Sequence, residues 1–263
     1  MRHLSSLHPS EAYLTALREV WNNPDFYCAP RGLKIREVMD YSFTILQPDA
    51  EAIITHDIER NLVIADYTQK ETELYNSCTN KVEDFAKASK FWKQLANPDG
   101  TVNSAYGYLI WKHDSHGCPW FEGAQYTPEQ VHADPKIMND LFRTPWEWCK
   151  QSLIQDKDTR QAILRFSLPE HFWNGNRDMT CTMHGNFLIR DDKLYLSMVM
   201  RSNDLMKGLV YDLSWFCSLM DKMIDELKPT YPNLTKGTYT HTSHSMHIYE
   251  KDEIAILKML GET

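Results

Sequence analysis

The sequence predicts an α+β domain, on three observations. Runs rich in β-branched and aromatic residues recur as strand-like segments, other stretches carry apolar residues at helical spacing, and the two kinds do not alternate regularly as a parallel βαβ sheet requires. A mixed sheet packed with long helices is therefore expected. The chain has 263 residues, enough to bury a sizeable core. No Pro/Gly/Ser-rich linker, low-complexity tract or internal repeat divides it, so residues 1–263 are expected to form a single domain.

The elements follow in order. Leu14, Leu17, Val20 and Trp21 recur at helical spacing, which predicts a first amphipathic helix capped by Ser10 and ended by Asn22-Asn23-Pro24. After Pro30-Arg31-Gly32, the segment Lys34 to Leu46 reads as strand. Helices are expected at 67–78 and 81–95. The stretch Pro128 to Gln155 is helical in pattern but interrupted at Pro135 and Pro145. Thr180 to Ile189 and Lys193 to Met200 are strand-like and flank Arg190-Asp191-Asp192, a hairpin signal. Leu209, Leu213, Phe216, Met220, Met223 and Leu227 trace one stripe of a long helix, with the methionines as core.

Charge narrows the function classes. A formal net charge of -8 repels polyanions, which argues against nucleic acid or an acidic membrane surface as the main ligand, while leaving room for a small anion bound locally. No apolar run approaches the ~20 residues of a membrane helix, and Met1 to Tyr13 lacks the apolar centre of a signal peptide. A cytoplasmic protein is expected, in the host cytoplasm if the source is viral. Cys28, Cys78, Cys118, Cys149, Cys181 and Cys217 show no short repeated spacing and read as free thiols. No GxGxxG or GxxxxGK[ST] loop is present, so a bound phosphate would fall to arginines.

One stretch concentrates chemistry. It runs Cys181-Thr182-Met183-His184-Gly185-Asn186-Phe187, then the hairpin, then Arg201-Ser202-Asn203-Asp204, Lys207-Gly208 and Tyr211-Asp212-Leu213. This resembles the thymidylate synthase family, where a cysteine is followed five residues later by an amide residue and an aromatic, then by Arg-Ser-x-Asp, a glycine turn and a polar residue that reads the base. His241-Thr242-Ser243-His244-Ser245-Met246-His247-Ile248-Tyr249 is similar to the family's His-x-x-Gly-Asp-x-His-x-Tyr segment, with His244 and Ser245 in place of Gly-Asp. Tyr67-Thr68-Gln69-Lys70-Glu71, Phe91-Trp92-Lys93-Gln94 and Asn103-Ser104-Ala105-Tyr106-Gly107 resemble the phage deoxycytidylate hydroxymethylase branch of that family. The resemblance implies a thymidylate synthase-like fold that pairs sheet to sheet as a homodimer.

It also implies roles. C5 of a pyrimidine is a poor nucleophile, and adding the Cys181 thiolate to C6 makes it electron-rich enough to attack the methylene of 5,10-methylenetetrahydrofolate, the implied cosubstrate. A thiol with a pKa of roughly 8.5 is little ionised at neutral pH, so Arg201 is expected to supply positive charge. Glu71 would organise water around the reacting atoms, with Glu73 as the competing carboxylate, and Tyr106 would stand near the C5 proton. Arg201 and Ser202 match the phosphate site. Arg160 matches an arginine that reaches the partner's site, and Gln161 stands where the family has a second arginine, a loss that Arg31 or Lys34 would offset. His247 and Tyr249 would hold the 3'-OH, and Asn186, the motif's amide residue, is expected at the substrate. Trp92 and Asp204 are the folate candidates, one by stacking and one by accepting from the pterin. His241, His244 and His247 fall on alternating strand faces, so no metal is expected.

Asp212 bears on the base. In the family that the sequence resembles, uracil is read by an asparagine that donates to O4 and accepts from N3-H, whereas cytosine presents an N4 donor and an N3 acceptor, and Asp212 stands at that asparagine's position here. A protonated carboxyl matches cytosine, so dCMP is the expected substrate and 5-hydroxymethyl-dCMP the expected product. Methylation of dCMP, hydroxymethylation of CMP or dUMP, and a nucleotide-binding protein without catalysis are the alternatives. The segment Ile256 to Thr263 does not resemble the apolar tail that seals thymidylate synthase, which favours capture of water over hydride.

Overall fold

The computed structural model describes residues 2–113 and 144–262; the expected helical stretch from Pro128 up to residue 143 lies outside the described residues, as does Cys118. The described elements are β1 (Arg2–Ser6), α1 (Pro9–Asn22), β2 (Phe26–Cys28), β3 (Ile35–Ile45), α2 (Ile58–Asn76), α3 (Val82–Ala88), α4 (Tyr106–Trp111), α5 (Pro145–Gln155), β4 (Ile163–Arg165), β5 (Thr182–Arg190), β6 (Lys193–Met200), β7 (Asn203–Asp204), α6 (Val210–Leu227), β8 (Thr235–Tyr249) and α7 (Glu253–Leu260). One mixed sheet carries the fold, in the order β1-β3-β8-β6-β5-β4, with β2 added to β3 and β7 to β8. β8 lies antiparallel to β3 and parallel to β6, which places it at the centre. β1 runs parallel to β3, while β4 and β6 flank β5 antiparallel.

Local chemistry accounts for most boundaries. The β5–β6 hairpin turns at Asp191 and Asp192, both at positive φ of 48° and 54°, a conformation a two-residue turn demands and aspartate tolerates. α5 opens with a capping box: Thr144 accepts from the Glu147 N-H, and Glu147 returns the bond to Thr144. Pro145 sits at its first position, where the missing N-H costs nothing. α6 buries Leu213, Phe216, Met220, Met223 and Leu227, the stripe read from the sequence, and Trp215 on a neighbouring face.

Three expectations need correction. α1 starts at Pro9 without a side-chain cap, and the Ser10 hydroxyl instead accepts from the Ile54 N-H at 2.9 Å. α2 begins nine residues before the expected 67, because Asp57 caps it by accepting from the Arg60 N-H; the exposed apolar Ile58, Leu62 and Val63 had blurred the periodicity there. The expected helix at 81–95 divides at Ser89, which is extended and caps a short turn at Lys90–Gln94. β1 and α7 carried no sequence expectation.

The core lies between the sheet and the helices around Tyr41, Phe43, Phe187, Trp215 and Phe216. One close approach fixes the helices above it: a Cβ at Gly107 of α4 would fall 1.7 Å from the Tyr75 carbonyl oxygen of α2, so only glycine fits. Among the described residues no helix is long and apolar enough to cross a membrane.

Candidate active site

Cys181 stands one residue before β5, and its carbonyl accepts from the Arg201 N-H at 2.9 Å, tying the start of β5 to the end of β6. The Arg201 guanidinium is held by the carbonyls of Thr180 (3.1 Å) and Met179 (2.5 Å), which aims Nη2 at the Cys181 sulfur, 3.5 Å away. Burial pushes the Cys181 thiol up; Arg201 pulls it down, while the carboxylates of Asp212, Asp178 and Asp204 push it further up. Burial wins, so Cys181 rests as a thiol, with a cation already beside it. Cys149 and Cys217, buried without an adjacent guanidinium, are pushed further up still by burial, and Cys28 is exposed.

Two buried carboxyls, Glu71 and Asp212, act on each other here, and Asp212 acts on the sulfur as well. Glu71 is buried on α2, where the alternative Glu73 is exposed and paired with Gln69. Burial and the neighbouring Asp212 charge push Glu71 up to about 8, against hydrogen bonds from Tyr67 and Tyr75. The Tyr67 hydroxyl donates to Glu71 at 3.2 Å and accepts from the Trp92 indole N-H at 3.1 Å. Asp212, in the first turn of α6, is pushed up to about 6 by burial, against a hydrogen bond from Asn203 at 3.2 Å. Tyr106 is buried beside them, stacked on Tyr75 with ring centroids 5.2 Å apart; the charges of Asp212 and Cys181 act on it, and burial drives its hydroxyl well above the ordinary range. Paired carboxyls and phenols of raised pKa beside a thiol can hold or move protons near neutral pH.

The second half of the cluster comes from β7 and β8. The Ser202 hydroxyl lies 3.4 Å from His247 Nδ1, and the His247 and Tyr249 rings meet edge to face at 5.6 Å. β7 pairs Asp204 with His247. Asp204 accepts from the Met206 and Lys207 N-H groups, and burial raises its pKa, countered by His247 and Lys207. Lys34 immediately precedes Ile35, which pairs with Tyr249, and the Arg31 charge reaches Tyr249, so exposed cations line this end.

Two expected residues are not drawn into the cluster. Asn186 lies five residues beyond Cys181 along β5, roughly 15 Å at strand rise, and alternation puts it on the face opposite the buried Phe187. Arg160 is exposed in the loop before β4. Trp92 is buried edge-on to Phe85 at 4.8 Å, with its indole N-H committed to Tyr67. The three histidines go separate ways, His241 to Tyr239, His244 to Asp40 and His247 to Ser202. Among the described residues no three metal-ligating side chains converge.

The structure adds residues that sequence reasoning missed. Tyr67 stands four positions before Glu71, a helical pairing legible in principle. Arg60 donates to the Tyr211 hydroxyl and the Met206 carbonyl, both at 3.0 Å, with no signal in its surroundings. Asp178 accepts from Ser104 through both N-H (2.8 Å) and hydroxyl (2.5 Å), which clamps the Cys181 loop to the entry of α4 and Tyr106.

Comparison with known proteins finds similarity over most of the chain. A family model described as thymidylate synthase matches residues 11–262. Deoxycytidylate 5-hydroxymethyltransferase of Enterobacteria phage T6 is 27% identical over 234 residues, covering 86% of this chain and 80% of the phage protein. Deoxyuridylate hydroxymethyltransferase of Bacillus phage SP01 is 32% identical over 258 residues, which cover 96% of this chain but 60% of that protein. Thermostable thymidylate synthase A from Bacillus subtilis shares the fold, with a TM-score of 0.65 at 15% identity over 95% of this chain and 83% of its own.

Proposed function

The chain belongs to the thymidylate synthase family, and from that premise we propose that it transfers a one-carbon unit to C5 of dCMP and captures water, releasing 5-hydroxymethyl-dCMP. The observation that carries this reading is a buried carboxyl, Asp212, in the first turn of α6 among Glu71, Cys181 and Tyr106. The family's cosubstrate, methylenetetrahydrofolate, supplies the one-carbon unit as an electrophile. Cys181, deprotonated as substrate enters beside Arg201, adds to C6 and leaves C5 electron-rich. C5 attacks the transferred carbon, and Glu71 and Tyr106, through ordered water, take the C5 proton as the bond from that carbon to the folate nitrogen breaks and tetrahydrofolate leaves. Water served by Glu71 adds to the exocyclic carbon, giving its proton to Glu71, and the electron pair returned to C5 expels Cys181 from C6 as the thiolate.

Asp212 accounts for the base. In its neutral form it donates to N3 of cytosine and accepts from N4-H; uracil would set N3-H and O4 against it, leaving buried groups unpaired at about 1–3 kcal/mol each. Ser202 and Arg201 would engage the phosphate, with Lys34, and His247 and Tyr249 the sugar. Asp204 would accept from the pterin, with the half-buried Tyr67 and Tyr211 rings as a stacking wall that Trp92 supports from behind. The half-exposed row Leu188, Tyr195, Val199, Thr240 and Thr242 supports a homodimer through the sheet, with Arg160 at the partner's phosphate.

One experiment tests the scheme. Purified protein with methylenetetrahydrofolate is given dCMP, CMP and dUMP, and nucleotide and folate products are separated. The expected result is 5-hydroxymethyl-dCMP with tetrahydrofolate. Cys181→Ala should lose at least 1,000-fold in rate, Asp212→Asn should turn preference toward dUMP, and mixing the Cys181→Ala and Arg160→Ala proteins should restore part of the activity. Dihydrofolate would mean methylation instead. Preference for dUMP in the wild type, the base in the name of the SP01 relative, would overturn the assignment to Asp212.

A further inference from the structure

Asn203 lies between the phosphate residue Ser202 and Asp204, and is buried, 1% exposed. Its side-chain Nδ2 donates to Oδ2 of Asp212 at 3.2 Å and also faces the Met200 sulfur. Its own Oδ1 is fully buried and has no hydrogen-bond partner among the described residues. An amide buried for stability alone would use both ends, since a buried acceptor left unpaired is costly. Here the donor end is committed to a carboxyl and the acceptor end is left idle. Gly208 closes the other side: a Cβ there would lie 3.3 Å from Asp212 Oδ2 and 3.5 Å from Asn203 Oδ1, so the glycine leaves both groups room.

We propose that Asn203 is a positioning residue that sets base choice by fixing which oxygen of Asp212 carries the proton. The Asn203 N-H makes Oδ2 an acceptor and leaves the proton to Oδ1. Oδ1-H then donates to N3 of cytosine, and the second lone pair of Oδ2 receives N4-H. With the amide turned over, its oxygen would oppose Oδ2, the proton would move there to meet it, and Asp212 would be left with acceptors alone to offer the base, so that N3 of cytosine would lose its donor. This inference rests on the reading of Asp212 as the base-recognising group. The groups facing that carboxyl are Glu71 and Tyr75 from α2, Tyr106 from α4, Cys181 before β5, Asp204 from β7 and Tyr239 from β8. Asn203's donation favours the ionised form of Asp212, against burial and the Asp204 charge.

The test compares kcat/KM for dCMP and dUMP from pH 5.5 to 8.5 in the wild type, Asn203→Leu, Gly208→Ala and Asp212→Asn. Asn203→Leu keeps the volume and removes the donor. Its dCMP-to-dUMP ratio should fall at least tenfold, and the limb reporting ionisation of Asp212 should move to higher pH, a change that loosened packing would not produce. Gly208→Ala, which crowds Oδ2 but keeps the donor, should lower the ratio by a smaller factor with the limb unmoved. A folded Asn203→Leu protein with ratio and limb unchanged overturns the proposal; if that variant does not fold, an unchanged ratio in Gly208→Ala does so. Should Asp212→Asn leave base preference unaltered, the base-reading role itself fails; should it shift preference while Asn203→Leu does not, only the role of Asn203 fails.

Discussion

At the scale of single residues, the site is governed by how burial redistributes protons. Asp212, pushed up to about 6, is largely ionised at pH 7, yet cytosine needs one proton between its N3 and the carboxyl. Binding of dCMP should therefore take up a proton above pH 6, and its affinity should fall by up to tenfold per pH unit there. dUMP, which brings its own N3 proton, should show no such slope. Calorimetric titrations in buffers of different ionisation enthalpy measure the uptake, and a pH-independent dCMP affinity between 6 and 8 would refute it. The groups carrying this chemistry were unequally legible in the sequence. Cys181, Arg201, Ser202, His247 and Tyr249 stand in linear motifs. Asn203 occupies a position such a motif leaves open, and Asp178 acts through a contact with Ser104, 74 positions away, which spacing along the chain does not encode. Asn186 shows the converse: the motif names it, but strand alternation turns it to the other face.

At the scale of elements, α2 and α4 meet so closely that the site depends on one missing methyl group. Gly107→Ala would drive a Cβ into the Tyr75 carbonyl, forcing α4 away and with it Tyr106. Overpacking of this kind costs about 1–3 kcal/mol or more. At about 2–4 °C per kcal/mol for a chain of this size, a drop in Tm of about 2–12 °C is expected, together with a larger loss of kcat than of nucleotide affinity. A melt indistinguishable from the wild type would show that the helices can slide apart. Elements were readable where local pattern and tertiary demand agree, as in β3, the Asp191-Asp192 hairpin and the buried stripe of α6. They were misread where a cap or an exposed apolar residue decides, as at Asp57 with Ile58 and Leu62. β1 was invisible because five residues become a strand only by lying against β3.

For the whole molecule, the site is a cost to stability. Glu71 has a folded pKa of about 8 against an ordinary 4.5, so the folded state holds its proton more tightly than the unfolded chain. Its contribution is fully present below 4.5 and is lost as pH rises through 8; Asp212 acts the same way over a lower range. His241, buried and pushed down to about 3 from 6.5, works in the opposite sense, with stability present above 6.5 and lost as pH falls toward 3. Maximum stability is expected on the acid side of neutrality. Glu71→Gln should flatten the decline between pH 6 and 8 and, at pH 8, stabilise the protein by on the order of a few kcal/mol, while abolishing turnover. Thermal melts across pH measure this; parallel curves for the two proteins would show that Glu71 ionises freely.

The central place of β8 has a consequence for how the molecule is made. Thr44 and Thr240 touch across the sheet although 196 positions separate them, so the strand that completes the middle reaches the ribosome's exit long after its neighbours β3 and β6. Until then both present open edges, a template for pairing with other chains, and the nascent protein has neither a joined sheet nor His247 beside Ser202. Refolding should accordingly be slow and concentration-sensitive, with yield decided by how well those two waiting edges are kept from each other and from their neighbours.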